Sequence, residues 1–168
     1  MPVSDVAWVQ KVVALALKDI PKEKLVLGIP TYGHHYTVTV SPNWYQGYQK
    51  IGALNMPDML DVAKEYKVTP TRNDAGEMSF TYVPKSSDLK LSKNLKVSNN
   101  TPKGDLVAAK ALAYANKTGK TVQFNIGWYS DARAMQDKIE LARTYGLFGI
   151  ALFKIDGEED QKVWNYVR

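Results

Sequence analysis

The stretch KLVLGIPTYG, at residues 24–33, decides the fold class. Residues 25–30 are nearly all apolar, a pattern typical of a strand buried on both faces in a parallel sheet that helices cover. An amphipathic helix is predicted before this strand, over residues 4–19, and Pro21 ends it. Because helix, short loop and buried strand are half of a βαβ unit, the sequence predicts an α/β fold.

A second step of the same kind lies at the other end of the chain. Ser130 or Asp131 can cap a helix that runs to about residue 144, and residues 147–155 form a second apolar strand. A last helix is predicted over about residues 159–167. Two parallel-type steps therefore enclose the middle of the chain.

The middle of the chain has a mixed pattern. The predicted elements there are strands over residues 34–40 and 121–129, helices over 57–66 and 105–116, a hairpin over 67–83 and a polar loop over 84–103, with an aromatic stretch at 44–48. We therefore predict two parts: residues 1–35 with 128–168, and an α+β insertion over residues 36–127.

Length and composition exclude several classes of protein. The chain has 168 residues and no cysteine, so disulfides, thiolate catalysis and cysteine-based metal sites are excluded. A complete (β/α)₈ barrel needs at least roughly 200 residues. No apolar run approaches the roughly 18 residues of a membrane span. Residues 1–4 lack the basic start of a secretory signal, so we expect neither a membrane span nor a signal peptide in this chain.

The formal charge of +5 is concentrated in one region. Residues 85–120 hold eight lysines and two acids, which gives +6, while the rest of the chain sums to −1. A basic segment is compatible with nucleic-acid binding and with a solvated surface. Because these lysines stand singly among polar residues with little aromatic interleaving, we predict a solvated surface and no nucleic-acid partner.

Several motifs, in order along the chain, resemble glycoside hydrolase family 18, the chitinase family. Residues 24–33 resemble its late-strand motif lGiPxYG, and residues 8–9 and 21–25 resemble the helix and lead-in before it. The further matches are residues 128–133 with Lys138, residues 145–152, Glu159-Asp160 with Trp164, and residues 69–72 through 80–82, which resemble the family's α+β insertion. The best likeness is to bacterial chitinase-like proteins of the spore-germination and cell-wall type.

This resemblance implies a C-terminal fragment of a (β/α)₈ barrel, with about two barrel strands, their flanking helices and a chitinase-type insertion. The parent protein would hydrolyse or bind β-1,4-linked N-acetylglucosamine polymers, namely chitin or the peptidoglycan glycan, by a substrate-assisted retaining mechanism. The family's D-x-x-D-x-D-x-E motif, which supplies the catalytic acid, is absent from this chain, as is its Met-x-Tyr-Asp element. We therefore name no catalytic residue and expect no hydrolysis by this chain alone.

Sugar contact is the function that the resemblance leaves to this chain, because sugars stack on aromatic rings. Phe153 stands where the family usually has tryptophan, at the floor of the cleft, and Tyr32 ends its strand at the active-site end of a barrel. Tyr36 and Trp44 can line a sugar groove from the insertion. For each of these four residues, ordinary packing is the alternative.

Metal and cofactor chemistry is not expected. His34 and His35, the two histidines of the chain, have no acid at helical spacing, so we predict a strand-end rim feature and no metal site. No phosphate-binding loop, dinucleotide fingerprint or G-x-S-x-G motif is present. Acids also cluster after the last strand. We assign them no catalytic role, because Glu159 and Asp160 can instead cap the final helix.

The expected partner is a glycan that contains N-acetylglucosamine, and the resemblance implies a secreted or cell-wall-associated parent. Two alternatives remain open: a non-catalytic carbohydrate-binding module and a self-associating module. The second follows because two barrel strands without neighbours have open edges, which would allow a homodimer.

Overall fold

The computed structural model describes residues 2–92 and 94–167. The α-helices in these residues are α1 (Val6–Ala16), α2 (Met56–Glu65), α3 (Leu106–Thr118) and α4 (Ala132–Tyr145). The strands are β1 (Val26–Pro30), β2 (Gly33–Ser41), β3 (Trp44–Leu54), β4 (Thr71–Arg72), β5 (Met78–Tyr82), β6 (Val122–Tyr129) and β7 (Gly149–Phe153). Short 3₁₀ helices lie at Lys22–Lys24, Lys103–Asp105 and Gln161–Asn165. None of the helices described is both long and apolar enough to cross a lipid bilayer.

The strands form two sheets, which confirms the predicted mixed α/β character. β1 and β7 pair in parallel, with Val26 opposite Gly149 and Pro30 opposite Phe153. The other strands form a five-stranded antiparallel sheet in the order β3-β2-β6-β5-β4. The two sheets meet where Gly33, at the start of β2, pairs with Tyr129, at the end of β6.

Helix α4 covers one face of the parallel pair. Asp131, one of the two predicted caps, accepts a hydrogen bond from the Ala134 N–H at 2.9 Å, and Gly146 ends the helix with a left-handed φ of 62°. The buried residues of this layer are Ile29, Ala132, Met135, Ile139 and Val163. The layer has the strand–helix packing that the sequence predicts.

The opposite face of the parallel pair is open, so the prediction that β1 is buried on both faces is wrong. Val26 is 47% exposed and Phe153 is 66% exposed, and Gly28 and Ala151 on the same face are exposed as well. The apolar pattern is present, but within the described residues helices cover one side of this sheet only. One of the two apolar faces that the strands were expected to bury therefore faces outward.

The antiparallel sheet is covered on both faces. Helix α3 packs on one face through the cluster Val38, Val40, Ala111, Ala115, Phe124, Ile126 and Trp128. Helix α2 packs on the other face through the cluster Met59, Ala63, Phe80, Tyr82 and Tyr129. This larger sheet contains most of the buried core and carries one wall of the site described below.

Some local predictions need correction. The aromatic stretch at residues 44–48 is the first half of the long strand β3, and the predicted last helix is the short 3₁₀ turn Gln161–Asn165. The predicted hairpin is confirmed, but its first strand shortens to Thr71–Arg72. The described residues of the tract 84–103 form turns and loop, as predicted, up to the 3₁₀ turn that begins at Lys103.

Candidate functional site

A cleft opens at the carboxyl ends of β1 and β7. The Thr31 N–H donates a hydrogen bond to the Phe153 carbonyl at 2.8 Å, and the Thr31 hydroxyl donates to the Lys154 carbonyl at 2.5 Å. The peptide bond between Phe153 and Lys154 is cis. The hydrogen bonds of Thr31 hold the two strand ends together, and the rings of Tyr32 and Phe153 lie 6.2 Å apart and almost perpendicular, at 87°.

The cleft has a volume of about 300 Å³, at the lower end of the range for small-molecule sites. Its lining combines three parts of the fold: the ends of β1 and β7, the β2–β3 hairpin and the start of α2. The lining residues are Tyr32, His34, Lys50, Ala53, Leu54, Asn55, Asp58, Phe153 and Lys154. One wall is aromatic, and the others carry charged and amide groups.

The structure brings two of the four predicted sugar-contacting residues into this cleft. Tyr32 and Phe153 line it, and the Phe153 ring is largely exposed, as expected of a ring that is available for stacking. Tyr36 is outside the lining but contacts His34, which lines the cleft. Trp44 is at the far tip of the β2–β3 hairpin, opposite Ser41, about 30 Å along the strand from the cleft end at about 3.3 Å per residue.

Polar residues that sequence reasoning did not select complete the cleft. The Asn55 side-chain amide donates to the Glu158 carboxylate, and Lys154 forms an ion pair with Asp156. Asp58 lies in the first turn of α2, beside Asn55. No local motif marks these residues, because the antiparallel hairpin and α2 bring them to the strand ends only in the folded chain.

The acids after β7 have structural partners. Hydrogen bonds from the backbone, including the Gly157 N–H at 3.0 Å, lower the pKa of the buried Glu159. The hydrogen bond from Lys154 lowers the pKa of Asp156. Asp160 caps the last 3₁₀ turn, as predicted, and also accepts from the Ala132 N–H at 2.9 Å. A general acid needs a raised pKa, so Asp156 and Glu159 have the opposite of the required property.

His34, which lines the cleft, contacts two tyrosine rings. Its ring centroid lies 5.5 Å from that of Tyr32 and 5.8 Å from that of Tyr36, and its Nδ1 is 3.3 Å from the Tyr36 hydroxyl. Burial lowers the pKa of His34, and the positive charge of Lys50 lowers it further. The alternation of β2 places His34 and Tyr36 on one face of the sheet, which is the sequence signal that could have identified the pair.

His35 faces the other side of the sheet and belongs to the core. It is 7% exposed, and its Nε2 lies 2.6 Å from the Tyr82 hydroxyl, which accepts from the Asn125 side-chain amide at 3.1 Å. Thr37 donates to the same Asn125 at 3.0 Å. Burial lowers the pKa of His35, which favours the neutral ring. The two adjacent histidines therefore have different roles, one in the cleft and one in a buried network.

The class of protein follows from the fold. A parallel strand pair with an aromatic cleft at its carboxyl end, joined to an antiparallel sheet with helices on both faces, matches part of the chitinase-like fold. The predicted resemblance to chitinase-like proteins is confirmed at the level of the fold, and bacterial chitinases are among the solved structures that share it over 99% of this chain. No protein-family model matches the chain.

Three individual proteins show the extent of the similarity. The chain is 21% identical over 167 residues to the uncharacterized glycosylase YvbX of Bacillus subtilis, covering 99% of this chain and 36% of that protein. It matches the spore cortex-lytic enzyme SleL of Bacillus megaterium with a TM-score of 0.64 and 21% identity, covering 99% of this chain and 30% of SleL. It matches a class V chitinase of Nicotiana tobaccum, solved in complex with NAG4, with a TM-score of 0.53 and 14% identity, covering 93% and 36%. The chain therefore spans about a third of the length of these proteins.

Proposed function

We propose that the chain is the C-terminal part of a family 18 glycosidase-like protein that acts on or binds β-1,4-linked N-acetylglucosamine polymers. The observation that carries this proposal is the aromatic corner of Tyr32 and Phe153 at the carboxyl ends of two parallel strands. Sugar rings present flat C–H faces that stack on such side chains. The resemblance to glycosylases and chitinases and the NAG4 complex of a protein with this fold support the choice of ligand.

In this proposal, the parallel pair with α4 is a fragment of a (β/α)₈ barrel. Residues 1–35 and 128–168 form the barrel part, and residues 36–127 form the α+β insertion of chitinases. The open face of the parallel pair supports this division, since apolar residues such as Val26 and Ala151 would point into a closed barrel. The cleft lies at the carboxyl ends of the strands, where barrel enzymes build their sites.

The chain alone supplies sugar contacts rather than the acid that cleaves the glycosidic bond. The D-x-x-D-x-D-x-E motif is absent from the sequence, and the nearby Asp156 and Glu159 have lowered pKa values. We therefore propose that the parent protein is the hydrolase or lectin and acts on the cell wall, outside the cell or at its surface.

Calorimetric titration of the 168-residue chain with the β-1,4-linked tetramer of N-acetylglucosamine tests the proposal. We expect binding without release of shorter oligomers. Phe153→Ala should weaken binding about tenfold, because it removes the exposed stacking face. Trp44→Ala is the matched control, since Trp44 is equally exposed, at 65%, but distant from the cleft.

Three results would contradict parts of the proposal. Absence of binding at millimolar tetramer would remove the glycan-contact function. Equal losses in Phe153→Ala and Trp44→Ala would show that the cleft is not the site. Cleavage of the tetramer by the chain alone would overturn the statement that it lacks the catalytic acid.

Self-association is a second candidate property, favoured by the same open face. The parallel sheet has two strands, and the exposed apolar residues around it include Val26, Phe148 and Ile155. Unpaired strand edges and an apolar face are templates for pairing with a second copy. We propose that the isolated chain forms a homodimer through this surface.

A further inference from the structure

In the proposed glycan cleft, the Tyr36 hydroxyl is the hydrogen-bonding neighbour of one ring nitrogen of His34. His34 lines the cleft, but Tyr36, which contacts its Nδ1, does not. The edge of the ring that carries Nδ1 is therefore turned to Tyr36, and Nε2 is the nitrogen left to meet a ligand. Among the described residues, no protein partner of His34 Nε2 is found.

The partner of Nδ1 decides which nitrogen carries the proton. A phenol is a better hydrogen-bond donor than acceptor, and burial raises the pKa of Tyr36, which keeps its hydroxyl protonated. When the Tyr36 hydroxyl donates to Nδ1, a neutral ring must carry its proton on Nε2. Burial and Lys50 both lower the pKa of His34, so the neutral ring predominates near neutral pH.

The other groups around His34 also shape what the cleft accepts. Lys50 is on β3 next to His34, and its ammonium group can only donate. The ring centroid of Tyr32 lies 5.5 Å from that of His34, with the two rings tilted by 53°. Asp58 on α2 and Lys154 after β7 complete the lining, and Lys154 is paired with Asp156. The His34 wall therefore offers donors to a ligand.

We propose that His34 is a specificity-determining residue that donates its Nε2–H to the acetamido carbonyl oxygen of the glycan. This inference rests on the proposed function. A carbonyl oxygen accepts only, so it matches the donating groups of His34 and Lys50. Tyr36 is the positioning residue, because it holds the tautomer of His34 without touching the ligand.

Two tetrasaccharides with the same β-1,4 backbone test the inference. The N-acetylglucosamine tetramer carries acetamido groups, and cellotetraose carries hydroxyls in their place. His34→Ala should weaken binding of the N-acetylglucosamine tetramer about fivefold to tenfold, the value of one net hydrogen bond, and change cellotetraose binding less than about twofold. His34→Gln, which can place an amide N–H near the Nε2 position, should restore part of the affinity.

The tautomer of His34 can be measured directly, and it would not change if Tyr36 only supported the fold. Long-range proton–nitrogen NMR spectra should show neutral His34 with its proton on Nε2 at neutral pH. Tyr36→Phe keeps the ring contact but removes the hydroxyl, so the Nδ1-protonated form should become populated and tetramer binding should fall about threefold. Circular dichroism and urea midpoints of each variant report whether the fold is intact.

The outcomes separate this inference from the proposed function. If the wild-type chain binds neither tetrasaccharide, the glycan function itself fails. If the wild-type chain binds the N-acetylglucosamine tetramer and His34→Ala binds it equally well, or loses affinity for both sugars alike, the role of His34 is refuted while the function stands. A wild-type spectrum with the proton on Nδ1 would also refute it.

Discussion

Replacing Glu77 should destabilise the chain more than replacing Lys138 or Glu140. Glu77 is fully buried at the end of the turn between β4 and β5. One carboxylate oxygen accepts from the Val3 N–H at 2.8 Å and the other from the Ser4 N–H at 2.7 Å. The carboxylate thereby holds the segment before α1 against the antiparallel sheet, and its charge also acts on the buried ammonium group of Lys138.

The magnitude follows from these contacts. Hydrogen bonds to a charged group contribute about 1.5–3 kcal/mol each, and the Glu77 carboxylate accepts two of them from the backbone. Glu77→Gln keeps the shape but replaces one accepting oxygen with an NH₂ group that faces an N–H donor. We expect a loss of about 3–5 kcal/mol, a large share of the roughly 5–15 kcal/mol by which domains are stable.

Lys138→Met should have a much smaller effect. The Lys138 ammonium group is 1% exposed and donates to the Ala134 carbonyl of its own helix at 3.0 Å. Burial lowers the pKa of Lys138, which means that folding penalises its charged form, and Glu77 offsets this only in part. Methionine has a similar volume and no charge, so the expected loss is below about 1.5 kcal/mol.

The lowered pKa of Lys138 also predicts how stability depends on pH. Between this lowered value and the ordinary value of 10.5, the unfolded chain binds more protons at this position than the folded chain does. The contribution of Lys138 to stability should therefore rise with pH across that window. Lys138→Met should lack this rise, so the stability difference between the two chains isolates it from other groups that titrate at high pH.

Urea denaturation followed by circular dichroism measures these free energies, with equal m-values as the condition for comparing them. Glu140→Gln is the matched control, because Glu140 is exposed and its ion pair with Arg143, at i,i+3, contributes at most about 0.5 kcal/mol. A Glu77→Gln chain as stable as the Glu140→Gln chain would refute the reasoning. So would a Lys138→Met chain that loses as much as Glu77→Gln.

Two further predictions concern a close backbone contact and the open sheet face. Gly104→Ala should cost about 3 kcal/mol in urea denaturation, because a methyl group there would overlap the Ser79 carbonyl oxygen, while Gly47→Ala, which meets open space, should change stability by less than about 0.5 kcal/mol. Sedimentation velocity should show the wild-type chain as a dimer and Val26→Lys as a monomer, because a charge on the open face opposes its burial; a monomeric wild-type chain contradicts the self-association proposal.

The local pattern of the chain predicts the elements that have a regular apolar face. β2 was predicted within one or two residues because residues 34–40 alternate between the two faces of the sheet, one with Val38 and Val40 in the core and the other with the buried His35. β3 was recognised only as an aromatic stretch, because it is an edge strand with mostly exposed side chains, and the exposed run at residues 48–51 interrupts its alternation. The last helix was predicted too long, because Val163 is the one residue of the 3₁₀ turn that is buried.

The candidate site was predictable in its aromatic half and not in its polar half. Tyr32 follows a strand with a strong apolar signal and Phe153 ends another, so their place at the strand ends can be derived from the sequence. Lys50 and Asp58 reach the cleft only through the register of β2 with β3 and the start of α2. Pairing register depends on contacts between distant residues, and no single segment encodes it.

The cleft is formed by both sheets, so residues 36–127 alone do not contain all of it. Tyr32 and Phe153 come from the parallel pair, whereas His34 comes from β2 of the antiparallel sheet. Two residues separate β1 from β2, and Gly33 lies so close to β6 that a side chain there would overlap the Trp128 carbonyl. The stacking surface and the hydrogen-bond donors are therefore held in one geometry by a junction without flexible linker. A chain reduced to the antiparallel sheet would keep His34 only if the cut preceded β2, and would still lose both rings that give a sugar its stacking surface.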